Sequence, residues 1–262
     1  MATLGLADCV SLTPVADNTL YEPFLGELSN GAGVHMFAGR SGGGFRQRGI
    51  LRFDLASVPA GATIDSATLT LSMSRTIAAD ATISLHRCQT DWSEGSVVAG
   101  SGQGGGAPAT PGSTTWRFAT FDTVSWSNAG GDFATAASAS ALVGGIGTYS
   151  WSGAGVLTDV TNWYADPSTN FGWIILGNET AAATSKRFET RESPAPPILR
   201  IVFTPAIPCP GDLSGDRRVD EADLGILLGA WQTTAGGDAD CDNDTDEADL
   251  GIVLANWQAV CP

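Results

Sequence analysis

The clearest structural signal in the chain is the stretch ATLTLSM at residues 67–73, in which apolar and polar side chains alternate. Successive side chains of a β-strand point to opposite faces, so this pattern predicts a strand with one buried and one solvated face. The segment TISLH at residues 82–86 repeats the alternation, and VPAGA at residues 58–62 is typical of a turn.

Further strand patterns lie on both sides of this stretch, at residues 50–55, 172–176 and 198–203. The one convincing helical pattern in this part of the chain is short and covers residues 157–164. Many strands separated by Gly and Pro turns are typical of an antiparallel sandwich. The sequence therefore predicts a mainly β domain, a jelly-roll-like β-sandwich, over residues 10–204.

The charge of the chain is concentrated at its C-terminal end. The formal net charge is −15, and residues 209–262 contain twelve acidic and only two basic side chains. Such an asymmetry indicates a domain boundary, and the alternating prolines near residues 205–208 predict a stiff linker there. An acidic chain is repelled by nucleic acid and by anionic lipid. The sequence contains no run of 18 apolar residues, so it predicts no membrane span.

The acidic segment contains an internal repeat with an offset of 26 residues. Thirteen of 22 aligned positions are identical, so one unit has been duplicated. Each unit spaces oxygen-bearing side chains as a calcium-binding loop does, at loop positions 1, 3, 5, 9 and 12. These ligands are Asp212, Ser214, Asp216, Asp220 and Asp223 in loop 1, and Asp238, Asp240, Asp242, Asp246 and Asp249 in loop 2. Position 7 would supply a main-chain carbonyl, from Arg218 and Asp244.

A helical stripe follows each loop. Apolar residues recur at helical spacing from Leu224 to Trp231 and from Leu250 to Trp257. Gly225 and Gly229, which lie four residues apart, predict a close approach of the two helices.

The duplicated loop and helix resemble the type I dockerin module, over residues 209–262. The resemblance implies a small helical domain that binds two calcium ions at the positions given above and docks onto a cohesin. Position 6 of each loop, where a glycine with positive φ is usual in that family, is Arg217 in loop 1 and Asn243 in loop 2. Positions 10 and 11 hold Glu-Ala in both loops, where many dockerins carry a Ser-Thr recognition pair.

The first domain is similar to the DNRLRE family of secreted bacterial β-sandwiches. The similarity is carried by five short sequence motifs: DNTLYE at residues 17–22, GILRFDL at 49–55, TDWSEG at 90–95, GGDF at 130–133 and FETRE at 188–192. Members of that family include alginate-binding modules and accessory domains of polysaccharide-active proteins. The similarity implies a secreted protein with a non-catalytic sandwich.

Ligand-binding side chains in the sandwich are predicted from residue type. A sugar ring stacks on an exposed aromatic face, and the tryptophans near polar, Gly-rich stretches are Trp116, Trp126 and Trp151. Uronate carboxylates would be bound by a cationic strand face built from Arg46, Arg48 and Arg52. The alternatives are core packing for the tryptophans and a solvated outer face for the arginines. A third calcium ion could lie among Asp91, Glu94 and Asp132.

Five cysteines without metal-ligand spacing favour an exported protein with disulfides. Cys209 and Cys261 bracket the duplicated module, whose pseudo-two-fold symmetry brings its ends together, so we expect them to form a disulfide. The pairing of Cys9, Cys88 and Cys241 stays open. Residues 1–9 are interpreted as an N-terminal segment that could end a signal peptide.

Three functions are compatible with these patterns. The leading one is a secreted, non-catalytic, calcium-binding protein whose sandwich binds polysaccharide and whose tail attaches to a cohesin-like partner or to a second copy. The second is a structural subunit of an extracellular fibre or surface layer. The third is a polysaccharide lyase or hydrolase.

Overall fold

The computed structural model describes residues 8–206, 209–242 and 244–261. Most of the predicted N-terminal segment, residues 207–208 of the predicted linker, and Asn243 at position 6 of loop 2 lie outside the described residues.

Fifteen strands and three α-helices are found in the described part of the chain. In chain order they are β1 (Asp8–Leu12), β2 (Pro14–Tyr21), β3 (Leu28–Ser29), β4 (His35–Arg40), β5 (Arg46–Phe53), β6 (Thr63–Arg75), β7 (Ala81–Arg87), β8 (Ala107–Pro108), β9 (Phe118–Thr120), β10 (Val124–Ser125), β11 (Ala139–Val143), β12 (Gly147–Ser152), α1 (Ala154–Ala165), β13 (Trp173–Leu176), β14 (Lys186–Glu189), β15 (Ile198–Thr204), α2 (Glu221–Ala230) and α3 (Glu247–Ala255). The chain is therefore mainly β, as predicted, with few helices.

The chain divides into two units. The sandwich unit consists of Leu12–Leu55 and Ala67–Leu199. The C-terminal unit consists of Met1–Ser11, Ala56–Ser66 and Arg200–Pro262. This division differs from the predicted boundary at residues 205–208, because two segments from the N-terminal half of the chain join the acidic tail.

The sandwich unit is built from antiparallel strand pairs in a sandwich-like arrangement. One group of strands runs in the order β12-β6-β14-β4, and the other in the order β4-β5-β13-β7-β11, with β2 also paired to β5. Strand β4 belongs to both groups, because residues 35–38 pair with β14 and residues 39–40 pair with β5. Strand β4 therefore connects the two groups of strands, as a strand that switches sheets does at the corner of a sandwich.

Alternation along β6 follows the prediction for residues 67–73. Leu69, Leu71 and Met73 are buried, whereas the intervening polar side chains are partly exposed. Large aromatic rings complete the interior, and Trp163 packs edge-on against Trp173 with ring centroids 4.6 Å apart. Helix α1, which covers the predicted helical segment, contributes Trp163 to this core.

In the C-terminal unit, β15 is hydrogen-bonded to β1. Helices α2 and α3 follow the two acidic loops at the predicted places. Among the described residues, we find no helix with the length and apolar character needed to cross a membrane.

Gly172 immediately precedes β13, at the point where this strand begins its antiparallel pairing with β5. Its φ is +74°, and a Cβ built there would overlap the carbonyl oxygen of Leu51 and lie 2.8 Å from Cα of Arg52. Gly153, at the start of α1, also has positive φ (+110°), but a Cβ there meets open space.

We therefore predict that Gly172→Ala destabilises the protein more than Gly153→Ala does. In both variants, an alanine with positive φ lowers the free energy of unfolding by roughly 1–3 kcal/mol. In Gly172→Ala, overpacking lowers it by about a further 1–3 kcal/mol. Urea unfolding of both variants measures the difference. Equal losses of stability would contradict this steric account.

Candidate functional site

The two acidic loops close onto the helices that follow them through identical capping boxes. In loop 1, Asp220 accepts a hydrogen bond from the amide of Ala222 (2.9 Å), and Asp223 accepts one from the amide of Asp220 (2.7 Å). In loop 2, Asp246 and Asp249 make the equivalent bonds, at 2.7 and 2.8 Å. The side chains at positions 9 and 12 are therefore oriented by the first turn of each helix.

The carboxylates at position 12 are completely buried. Asp223 accepts a second hydrogen bond from the amide of Ser214 (2.8 Å), at position 3 of loop 1. Asp249 accepts from the amides of Ala239 (2.6 Å) and Asp240 (3.1 Å), at the start of loop 2. Each of these side chains thus joins both ends of its loop.

Position 1 organises the turn in loop 1. One oxygen of Asp212 accepts from the amides of Gly215 (2.8 Å) and Asp216 (3.2 Å), and the other accepts from Arg217 (2.8 Å). Arg217 has φ +70°, which confirms the predicted left-handed conformation at position 6. A non-glycine residue pays about 1–2 kcal/mol for this conformation.

Loop 2 repeats this turn with different residues. Oδ1 of Asp238 accepts from the amide of Asp242 (3.0 Å), and Cys241 at position 4 has φ +65°. At position 7, the amide of Asp244 donates to Asp242 (3.2 Å), as that of Arg218 donates to Asp216 (2.8 Å) in loop 1.

Carboxylates are crowded in loop 2. Oxygen atoms of Asp238, Asp240 and Asp242 lie within 4.8 Å of one another, and so do those of Asp244, Asp246 and Asp249. Loss of hydration, together with repulsion from Asp249, Asp242 and Asp238, raises the pKa of Asp240. Clustered carboxylate oxygens with no nitrogen or sulfur donor suit a hard divalent cation, so the residues present fit a metal ion of this kind.

A small hydrophobic core supports the loops. Val219, Leu227 and Val253 are fully buried, and Trp231 and Trp257 pack against them. The prediction that Gly225 and Gly229 allow close helix packing is wrong, because a Cβ at either position meets open space. The core lies on other faces of α2 and α3.

The cysteines of the C-terminal unit form two pairs at disulfide distance. Cys209 pairs with Cys261, as predicted, with Cα atoms 5.6 Å apart. Cys9 pairs with Cys241, with Cα atoms 5.9 Å apart. Cys88 is a free, buried thiol whose pKa is raised to about 11 by burial. Two such pairs are compatible with an extracellular protein.

The structure corrects the prediction of an aromatic sugar platform. Trp116, Trp126 and Trp151 are 4%, 5% and 1% exposed, so none can offer a ring face to a ligand. The indole nitrogens of Trp126 and Trp151 donate to carbonyls inside the sandwich. Proximity to glycines in the sequence did not indicate exposure, because Gly130 brings its backbone directly against the ring of Trp116.

The predicted cationic face is also corrected. Arg46 and Arg48 do share a face, and both stack on the ring of Trp116, at 4.9 and 4.7 Å from its centroid. Arg52 stacks on Trp92 in the same way. However, each guanidinium is paired with a carboxylate within the sandwich, so none is available to a uronate; the partners are Glu22, Glu179 and Asp91, respectively.

The residues predicted for a third calcium site bind separate partners. Asp91 pairs with Arg52, and Glu94 pairs with Arg191. Although burial opposes it, hydrogen bonds from the amides of Ser127 and Asn128 hold the pKa of Asp132 below its usual value. These carboxylates therefore do not form a shared cation cradle.

Sequence reasoning missed a groove in the sandwich unit. The arginine groove, of about 270 Å³, is lined by Phe37, Gln47, Arg75, Ile77, Ser185 and Arg187, among others. Arg75 and Arg187 lie opposite each other on β6 and β14. Arg187 donates to Ser74 (2.9 Å), and neither arginine has a carboxylate within ion-pair distance among the described residues. Like charges opposite each other destabilise a strand pair. No local sequence signal marks this pairing.

No protein-family model matches the chain, and a search of curated proteins finds no significant relative. The function is therefore argued from the loops and the groove themselves.

Because Trp116 is a core residue, we predict that Trp116→Ala lowers the free energy of unfolding by about 3–5 kcal/mol. Ile146→Ala, at a side chain that is 76% exposed, is the matched control and should change stability little. Urea unfolding measures both. A Trp116→Ala variant of normal stability that had lost sugar binding would restore the platform hypothesis.

Proposed function

We propose that this protein is a secreted, non-catalytic, calcium-binding protein whose acidic tail is a dockerin-like attachment module and whose first domain is a jelly-roll-like sandwich. The observation that carries the proposal is the pair of buried position-12 carboxylates, Asp223 and Asp249, each bonded to both ends of its loop. In loop 2, two groups of carboxylate oxygens lie within 4.8 Å of one another, those of Asp238, Asp240 and Asp242 and those of Asp244, Asp246 and Asp249.

Calcium is the ion that suits this donor set best. It takes six to eight oxygen ligands in flexible geometry, whereas magnesium requires near-ideal octahedra and keeps its waters. The loop ligands are the ten side chains at positions 1, 3, 5, 9 and 12, with carbonyls of Arg218 and Asp244 at position 7. A bound cation would reduce the repulsion among the crowded carboxylates of loop 2, of which Asp238 is already paired with Arg200.

Calorimetric titration of the full chain, begun in chelator, should detect two calcium ions. Asp238→Ala should abolish the tighter site, in loop 2, and Asp212→Ala the weaker site, in loop 1. Each ion should stabilise the protein by about 2.7 kcal/mol at a free concentration of 100 times its Kd. Glu221→Ala, an acidic residue outside the ligand set, is the matched control. A chain that takes up no calcium would end the proposal.

The duplication also presents equivalent apolar side chains on the two helices. Leu228 on α2 and Leu254 on α3 occupy the same position in the repeat, and they are 56% and 54% exposed. A symmetric module with two equivalent helix faces suits attachment to a cohesin-like partner or to a second copy of the chain. The Glu-Ala pairs at positions 10 and 11 would alter the specificity of such docking.

The arginine groove favours an acidic polysaccharide as the ligand of the sandwich. Arg75 and Arg187, which are not ion-paired with any described carboxylate, can bind ligand carboxylates through forked hydrogen bonds. Ser185 lines the same groove and donates its hydroxyl to the buried side chain of Gln47 (2.7 Å), and the exposed side chain of Ile77 could contact a sugar ring. An anionic ligand would relieve the repulsion between Arg75 and Arg187.

We predict that Arg75→Gln and Arg187→Gln each weaken the binding of an oligouronate by about tenfold or more. Arg117→Gln, at an exposed arginine outside the groove, should leave the affinity unchanged. A neutral glucan oligosaccharide of the same length should bind much more weakly than the oligouronate. Equal affinity for both sugars, or for the wild type and the two groove variants, would contradict this site.

A further inference from the structure

The two loops of the repeat are held in different ways. Loop 1 has Gly215 at position 4, and its Asp212 accepts hydrogen bonds from the amides of its own turn. Loop 2 has Cys241 at position 4, and this residue is joined to Cys9 on β1. Among the described residues, loop 2 alone carries a covalent link at this position.

A second contact fixes loop 2 at the same place. Arg200 on β15 donates to Oδ2 of Asp238 at 2.6 Å, and this side chain of Asp238 is only 3% exposed. The same nitrogen of Arg200 lies 3.3 Å from the sulfur of Cys9. Positions 1 and 4 of loop 2 are thus both tethered to neighbouring strands of the C-terminal unit.

The disulfide is made by a residue, Cys241, whose backbone conformation is unfavourable for cysteine. Cys241 has φ +65°, in the left-handed region that glycine adopts freely, and Gly215 has φ +76° at the same position of loop 1. Cys241 lies between two ligand positions, Asp240 and Asp242, so any relaxation of its backbone displaces both carboxylates. A covalent link that holds this turn reduces the ordering that a metal ion would otherwise have to impose.

We propose that Cys9 is a positioning residue for the cation site of loop 2. Through its disulfide with Cys241, it holds loop 2 in the conformation that binds the cation. This role of Cys9 rests on the proposed calcium function, and it makes the calcium affinity of loop 2, but not that of loop 1, depend on the disulfide. Loop 2 loses affinity when the disulfide is broken, whereas loop 1 does not. A dithiol reductant breaks the bond by thiol–disulfide exchange, which yields two protein thiols and the oxidised dithiol. Both cysteines are partly exposed.

The test compares two variants that lack the disulfide and differ only at position 4. Cys9→Ser with Cys241→Ser removes the bond and leaves a non-glycine residue in the turn. Cys9→Ser with Cys241→Gly removes the bond and installs the residue type that loop 1 carries. Calcium titrations in an Asp212→Ala background report on loop 2 alone, and those in an Asp238→Ala background report on loop 1.

We expect the Ser variant to weaken calcium binding at loop 2 by about tenfold and to leave loop 1 unchanged. The Gly variant should stay weaker than the disulfide-bonded protein, because the anchor to β1 is absent. Unchanged loop 2 affinity in the Ser variant, or full recovery in the Gly variant, would overturn the positioning role of Cys9. Reduction with a dithiol should reproduce the Ser variant when Cys209 and Cys261 are both replaced by Ser, because in the wild type the reductant would break the Cys209–Cys261 disulfide as well.

Hydrogen exchange in chelator gives a readout that needs no metal. Loss of the disulfide should speed exchange at the amides of Ala239, Asp240 and Asp242, which are bonded within loop 2, and not at the amide of Ser214 in loop 1. Equal exchange in both proteins would contradict the inference. A wild-type chain that binds no calcium would instead refute the proposed function, so the two failures are distinguishable.

Discussion

The buried carboxylates of Asp223 and Asp249 are the interaction on which the C-terminal unit depends. A buried carboxylate is costly unless it accepts hydrogen bonds, and each of these two finds donors at both the start and the end of its loop. The chain therefore has to turn back on itself to satisfy one side chain. The same side chains join the start of each loop to the first turn of the following helix, so the loop and the helix fold together.

In the sandwich unit, several charged side chains are paired with one another. Arg46 and Arg48 stack on Trp116 while each binds a glutamate, and Arg52 stacks on Trp92 beside Asp91. These arginines are packing elements, because their guanidinium planes cover aromatic surface and their charge is neutralised. In contrast, Arg75 and Arg187 of the arginine groove lie opposite each other, and neither is ion-paired with a carboxylate among the described residues.

The two halves of the duplication have diverged in their attachment while keeping their loop chemistry. Capping boxes, buried position-12 carboxylates and left-handed turns recur in both halves. Within the described ranges, loop 2 is tied to β1 through Cys9 and to β15 through Arg200, and no such tie is found for loop 1. Loop 2 is thus anchored to neighbouring strands, whereas Asp212 at position 1 of loop 1 is partly exposed.

The sequence by itself determined the features that depend on local periodicity and spacing. Alternation at residues 67–73 specified a half-buried strand, and the 26-residue repeat specified two loops and two helices. The left-handed turn at Arg217 was implied by the resemblance to the dockerin module. Only the tertiary structure decided which side chains are exposed and which distant segments meet. Trp116 is buried because a glycine backbone packs on its ring, and Arg75 faces Arg187 because β6 pairs with β14. Cys9 reaches Cys241 across a sequence separation of 232 residues. Contacts between distant segments depend on how the whole chain packs, and no local pattern in the chain encodes them.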